Sequence, residues 1–357
     1  MAAAASLAAA SMRRYALPAA CAVAAQQQHA RQGSPARTEG SALLQWRSSR
    51  VAPQSVDGRP VADVREGGGA VSRLYGVSRR GYAPYDRAKR NQDALRVLKD
   101  ERTDTQAILV LDGHGEFGEE VSRRFADKFL EAVTKHPFWA TDIERACREE
   151  LARLEGEILA DSSIDCAFSG TTVAFAAVRR NQVFWCNVGD SRITLGVLRE
   201  GVIRAEPLTT DHKPETPEEK NRIERCGGRV FALEYDDGII GPPRVWLPDA
   251  DVPGLAMSRS VGDQVAHAVG VSSEPDCGVR RLSPDDKFLV AATDGLWEFL
   301  PNAEVVSRVA EVSSQSGSPR ACVDHLVREA TARWLAHERV VDDTTVCVAF
   351  LEASPPD

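Results

Sequence analysis

Closely spaced cysteine pairs are missing from this chain. None of its eight thiols (Cys21, Cys147, Cys166, Cys186, Cys226, Cys277, Cys322 and Cys347) has a neighbour at the C-x-x-C spacing of a metal knuckle, which argues against a zinc ribbon. Several lie inside apolar runs, VFWCNV and TTVCVAF among them, where cysteine behaves as a small core residue. Reduced thiols in an intracellular compartment are therefore expected. Long apolar runs are missing too. None approaches the roughly 20 residues needed to cross a bilayer, so no helical membrane span is expected. Positive charge is in deficit, with 44 Lys and Arg against 52 Asp and Glu and a net charge of −8. A nucleic-acid binder would show a basic face or stripe, and that class drops out. No internal repeat is present. What remains is the composition of an ordinary globular protein, 43 % hydrophobic and 27 % charged, in 357 residues that suffice for one large mixed domain or two.

The start of the chain is different in kind. Residues 1–38 carry no Asp or Glu, four Arg and much Ala, and run through QQQ into a Gly/Ser/Pro stretch. Such a bias cannot bury a core, and a disordered extension over residues 1–71 is expected. The same acid-free, Arg- and Ala-rich start resembles an organelle transit peptide, while YALPAACAVAA after Arg13-Arg14 has the look of a weak secretory core. A cytoplasmic or nuclear placement is the first expectation, with organelle import through residues 1–38 as the alternative.

From about residue 72 the chain becomes regular. Strand-like runs occur at QAILVLD (106–112), TTVAFAAV (171–178), QVFWCNVGD (182–190), SRITLGVL (191–198), DKFLVAATD (286–294) and TTVCVAF (344–350). Several are apolar on both faces of the alternation, as strands buried between other layers are. Helical stripes recur in 116–135, through Phe117, Val121, Phe125, Phe129, Leu130 and Val133, and in 141–160, through Ile143, Cys147, Leu151, Leu154 and Ile158. Two more helices are predicted over 302–311 and 319–337. Helices come in pairs rather than one per strand, and hairpins are expected at Gly189-Asp190-Ser191 and around Asp237-Gly238. This pattern predicts an α+β fold of mostly antiparallel sheets with helices packed outside, not a doubly wound parallel sheet.

Asp-Gly occurs at 57, 112, 237 and 294. At Asp57 and Asp237, in polar surroundings, a tight turn is the reading, because both residue types tolerate positive φ. Asp112 and Asp294 differ, since each ends a long apolar run (ILVLD and FLVAATD) and so sits at a sheet rim. Asp93 opens the run DALRVL, and Asp342-Asp343 precede the last strand. Carboxylates gathered at strand ends repel one another unless a cation neutralises them. Oxygen ligands without a nearby histidine pair or thiolate suit magnesium or manganese.

Taken in order, NQDA (91–94), VLDGHG (110–115), SGTTVAFAAV (169–178), NVGDSRITL (187–195), LTTDHKPETPEEKNRIERCGGRV (208–230), GLAMSRSVGD (254–263), VAATDGLWEFL (290–300) and DDTTVCV (342–348) resemble the metal-dependent serine/threonine protein phosphatases of the protein phosphatase 2C family. The resemblance covers residues 72–352, leaving a short tail at 353–357. It implies a four-layer α-β-β-α sandwich with two central sheets. It also implies two magnesium or manganese ions held by Asp112, the Gly113 carbonyl, Asp294 and Asp342, with Asp93 supporting through water. A third, weaker ion at Asp190 stands beside the alternative that Asp190 is a turn residue. Metal-activated water would hydrolyse phosphoserine or phosphothreonine without a phosphoenzyme, and His114 would be the general acid. Partners would be phosphoprotein substrates, with no nucleic acid, no membrane and a monomeric enzyme. Residues 209–230 would form a flap beside the site; its cations His212, Lys213, Arg222, Arg225 and Arg229 either meet substrate or belong to a solvated loop.

The sequence departs from that family at one anchor. Members often carry an arginine four residues before the acidic pair to hold the substrate phosphate; here that position is Ala88, and the pair is Gln92-Asp93. Lys89 is the nearest cation and the candidate for the phosphate, although it lacks the guanidinium's fork. The second acid after DGLW is Glu298, longer by one methylene than the usual aspartate. The core carboxylates are all present, so an active phosphatase is expected over a non-catalytic binding module or a hydrolase of small metabolites.

Overall fold

A computed structural model describes residues 60–64, 69–235 and 238–354. The segment at 1–38, Cys21, Asp57 and the Asp237 turn lie outside the described residues.

Two antiparallel sheets carry the fold. One has six strands, ordered β1 (Pro60–Val64), β2 (Val71–Arg79), β17 (Thr344–Leu351), β16 (Asp286–Ala292), β9 (Arg192–Arg199) and β10 (Val202–Pro207). The other has five, ordered β15 (Asp276–Arg281), β8 (Gln182–Val188), β7 (Val173–Arg179), β4 (Thr105–Leu111) and β3 (Ala94–Asp100). Strand β4 is buried at all seven positions, and its alternation explains why. Ile108 and Val110 pack with Ile193, Leu195, Leu289 and Cys347 of the facing sheet, while Leu109 and Leu111 point the other way into a helical layer. Strand β17 repeats the pattern, with Cys347 and Ala349 between the sheets and Val346 and Val348 outward. An apolar run on both faces is what a strand between two layers requires.

The outer layers are the predicted helices. Against the five-stranded sheet lie α1 (Gly118–Lys135) and α2 (Ile143–Ala160), the latter capped by Asp142, which accepts from Arg145 N. Phe129 stacks on Phe125 at 5.0 Å and meets Phe175 of β7 edge-on at 5.5 Å. Burying such a ring stabilises by about 1.5–3 kcal/mol. The six-stranded sheet is covered by α6 (Asn302–Ser316) and α7 (Pro319–His337) through Val305, Val309, Leu326 and Val327. The predicted α-β-β-α sandwich is thus observed.

Smaller elements complete the chain. Helix α3 (Pro217–Arg225) lies in the segment expected as a flap, 209–230, and β11 (Arg229–Tyr235), β12 (Gly238–Leu247) and β13 (Ala250–Leu255) form a sheet of their own after it. A three-stranded patch joins β14 (Val261–Gly262), β6 (Gly170–Thr171) and β5 (Gly113–His114), and single turns α4 (Gln264–His267) and α5 (Asp294–Trp297) follow β14 and β16.

Three expectations need correction. Gly189-Asp190-Ser191 is not a hairpin, because β8 and β9 belong to different sheets; the link crosses the sandwich. Turn-forming residues mark a reversal in either case, and long-range pairing decides which sheet receives the next strand. The ordered sheet begins before residue 72, since β1 pairs with β2; five residues are too few for a periodic signal. Finally, Cys186 and Cys277 stand opposite one another in the β8–β15 register and form a disulfide, while the other described cysteines are free as expected. Their separation of 91 residues hid the pair.

Candidate metal centre and its histidine

The carboxylates predicted from strand ends converge at one end of the seam between the sheets. Asp112 follows β4; its backbone N–H donates to Thr172 Oγ1 at 3.0 Å, and its carbonyl accepts from Thr172 N at 2.9 Å. Asp294 opens α5 after β16, and its carboxylate lies beside that of Asp112. Asp93 precedes β3, and its Oδ2 accepts from Thr293 at 2.9 Å and Thr345 at 2.7 Å. Asp342 precedes β17 and keeps a side chain 47 % exposed.

Electrostatics are those of a crowded anionic site. Burial, then Asp190 and Asp342, push the Asp294 pKa up to about 8. Burial, then Asp294, Asp93 and Asp342, raise Asp112 well above the usual carboxylate range, and burial with Asp343 does the same for Asp93. Asp342 is raised as well, by partial desolvation among the neighbouring acids and despite Lys89. The donor set is all oxygen, and the buried Asp93 Oδ1 and Asp190 Oδ1 have no hydrogen-bond partner among the described residues. No three of the described acidic, histidine or cysteine groups are already closed around one point. A magnesium-type site, built from one or two carboxylates and several waters, needs no such cage. The residues therefore fit a hard divalent ion.

Gly113 has a packing reason besides any ligand role. A Cβ there would sit 2.4 Å from Gly118 O and 2.5 Å from Gln92 O, so only glycine fits. His114 lies beside the carboxylates, its Nε2 2.6 Å from Asp263 Oδ2. Burial lowers its pKa, but Asp263 outweighs this and holds it above the usual value.

The candidate cations are mostly committed. Lys89 Nζ lies 2.7 Å from Asp343 and 3.6 Å from Asp342. Burial opposes its charge, yet Asp343 and Asp342 keep its pKa raised. Asp343 itself is a structural tie, accepting from Gly81 N at 2.6 Å and Gln92 N at 2.9 Å. In the flap, Lys213 bonds Asp190 at 2.6 Å, Arg229 holds the Leu247 and Ala250 carbonyls, and His212 bonds Gly189 N and Asp276. Glu298 is exposed. His136 pairs with Glu149, His267 reaches Ser260 O and His337 stacks on Phe299, so each of these three has a structural partner away from the carboxylates.

Two features escaped the sequence. Asp263, the partner of His114, lies 149 residues away in GLAMSRSVGD; its only signal was a second Gly-Asp like that of NVGD. Buried Glu219 of α3 is held by Arg222 at 2.7 Å, Arg259 at 2.8 Å and Ser258 at 2.5 Å. Burial opposes that carboxylate, but these hydrogen bonds draw its pKa down to about 2. The network fastens α3 to the GLAMSRSVGD segment, whose Ser258 and Ser260 both donate to buried carboxylates.

An anionic seam between two antiparallel sheets, flanked by helices and an imidazole, is a carboxylate site on an α-β-β-α sandwich. The sequence profile described as Protein phosphatase 2C matches residues 88–338. The chain is 32 % identical over 314 residues to Probable protein phosphatase 2C 35 of Arabidopsis thaliana, covering 83 % of this chain and 89 % of that protein. It is 41 % identical over 205 residues to Probable protein phosphatase 2C 12 of Oryza sativa subsp. japonica, covering 57 % of this chain and 52 % of that one. Among solved structures it resembles a serine-threonine phosphatase 2C from Toxoplasma gondii, with a TM-score of 0.69 at 22 % identity over 83 % of this chain and 98 % of that one. The chain belongs to the protein phosphatase 2C family and is a protein serine/threonine phosphatase. No described helix is long and apolar enough to cross a membrane.

Proposed function

We propose that the chain hydrolyses phosphoserine and phosphothreonine in proteins with two magnesium or manganese ions, by direct attack of water and without a phosphoenzyme. Asp112, the Gly113 carbonyl, Asp294 and Asp342 would hold the ions, with Asp93 behind them through water. Such ions, when bound, lower the pKa of water and neutralise phosphoryl oxygens. The observation that carries this reading is an all-oxygen rim of strand-end carboxylates in which the buried Asp93 Oδ1 and Asp190 Oδ1 have no partner among the described residues. A site so strained by like charge is one that a cation relieves. His114 donates the proton that the leaving serine or threonine oxygen needs, and Lys89 keeps an ammonium donor beside the acids to meet the phosphate. The flap cations mostly hold the flap itself.

Phosphate release from a phosphoserine peptide tests the proposal: release with manganese, none with excess chelator, and no labelled protein trapped by acid quench during turnover. Release in chelator would end the metal assignment, and an acid-stable phosphoprotein would end direct attack by water.

A further inference from the structure

We infer that Asp263 is a positioning residue for the phosphatase reaction, anchoring His114 through Nε2 so that Nδ1 is the atom that meets the leaving oxygen. This rests on the reading of His114 as the proton donor given above.

The anchoring is built by the smallest sheet in the protein. Strand β6 lies between β5 and β14, pairing Gly170 with His114 on one side and with Gly262 on the other. Asp263 follows β14 directly, with its N–H on Ser169 O at 2.9 Å. Its carboxylate therefore has to cross Gly170 to reach the imidazole. A Cβ on Gly170 would stand 2.2 Å from Asp263 Oδ2, so the crossing exists because that residue is glycine. Asp263 is 1 % exposed and left-handed, φ 43°, a backbone that a non-glycine residue keeps only where its surroundings over-determine it. Ser260 Oγ donates to the same Oδ2 at 2.5 Å, which fixes the carboxylate, and His267 Nε2 bonds the Ser260 carbonyl at 2.9 Å.

One bond, itself braced by Ser260, therefore holds the ring from one side only. The Nε2–Oδ2 distance is 2.6 Å, while Nδ1 is buried and has no partner among the described residues. A carboxylate on one nitrogen sets which proton the other carries, as in hydrolytic triads. In the transfer step the P–O bond breaks and the leaving oxygen keeps its electron pair. That oxygen takes the Nδ1 proton, and the ring ends neutral with Nε2–H still donated to Asp263.

The test compares Asp263→Asn and His114→Ala in the full chain with manganese, on a phosphoserine peptide and on nitrophenyl phosphate. A general acid contributes about 10²–10⁴-fold and matters most for a poor leaving group. Asp263→Asn should lower kcat on the peptide by at least about tenfold within that ceiling. It should leave KM and aryl phosphate turnover nearly unchanged, and add no further loss in the His114→Ala background. If His114→Ala depends on the leaving group and Asp263→Asn does not, the positioning role is wrong and the His114 role stands. If His114→Ala loses equally on both substrates, the His114 reading itself fails. A measurement on the unmodified protein guards against a variant that does not fold. Nitrogen-15 spectra of the His114 ring above its titration should show Nε2 protonated and Nδ1 bare, and the opposite tautomer would overturn the inference.

Discussion

Lys213 Nζ lies 2.6 Å from Asp190 Oδ2, inside the link that crosses from one sheet to the other. Burial works against that lysine's charge, but Asp190 more than offsets it and raises the pKa above the ordinary lysine range. A flap ammonium thus already neutralises the acid proposed for a third, weaker ion. Lys213→Met should leave Asp190 unpaired beside Asp294 and make the site depend more on added cations. The melting temperature of the variant should rise more steeply with manganese than that of the unmodified protein. An identical rise in both would show that Lys213 does not compete with a metal there.

Asp112→Asn and Asp294→Asn should each abolish phosphatase activity and leave the fold intact. Each change removes one charge from a rim of mutually repelling carboxylates, so in chelator the melting temperature should hold or increase. Near-full activity of Asp294→Asn with manganese would sink the proposed ligand set, and a large fall in melting temperature would sink the repulsion argument.

Those two acids also set a pH dependence. The pKa of Asp294 is raised from 3.8 to about 8 in the folded chain. A folded pKa above the unfolded one stabilises fully below the unfolded value and is lost as pH climbs through the folded one. Metal-free protein should therefore lose stability between about pH 4 and 8, and Asp294→Asn should flatten that slope. Calorimetry in chelator across the range decides the point; equal slopes in both proteins would contradict it.

Much of this was legible in the chain. The run from Ala107 to Leu111 is apolar at odd and even positions alike, which announces layers on both sides. The stripes through Phe125 and Leu151 gave both helices of one outer layer to within a few residues. Asp112 and Asp294 declared themselves by ending apolar strands. What stayed hidden depends on pairing between distant segments. Gly189 to Ser191 looks like a hairpin because turn chemistry is local, whereas the choice of sheet is not. Cys186 with Cys277 and His114 with Asp263 are neighbours only through strand register, which no local periodicity encodes.

Lys89 is already engaged with Asp343 and Asp342, yet an ammonium has three donors, and a phosphate can share them. Lys89→Ala should raise KM for a phosphopeptide with little change in kcat, since a contact made equally in ground and transition states changes binding alone. Lys89→Arg should restore it only in part, because the guanidinium's planar fork differs from a point charge. An unchanged KM together with a lowered melting temperature would reduce Lys89 to a structural ion pair.

The acids on this rim come from different sheets, Asp93 and Asp112 from the five-stranded one, Asp294 and Asp342 from the six-stranded one. Their mutual distance is thus set by how closely the sheets approach. Small side chains contribute to the layer between them, Ala174 and Ala176 on one side and Ala291 and Ala349 on the other. Those methyl groups act as shims: a thicker one would wedge the sheets apart and slacken the grip on any ion, without touching a single ligand. Affinity for the proposed ions would in that sense be a dimension of the interior, adjustable from residues buried between the sheets.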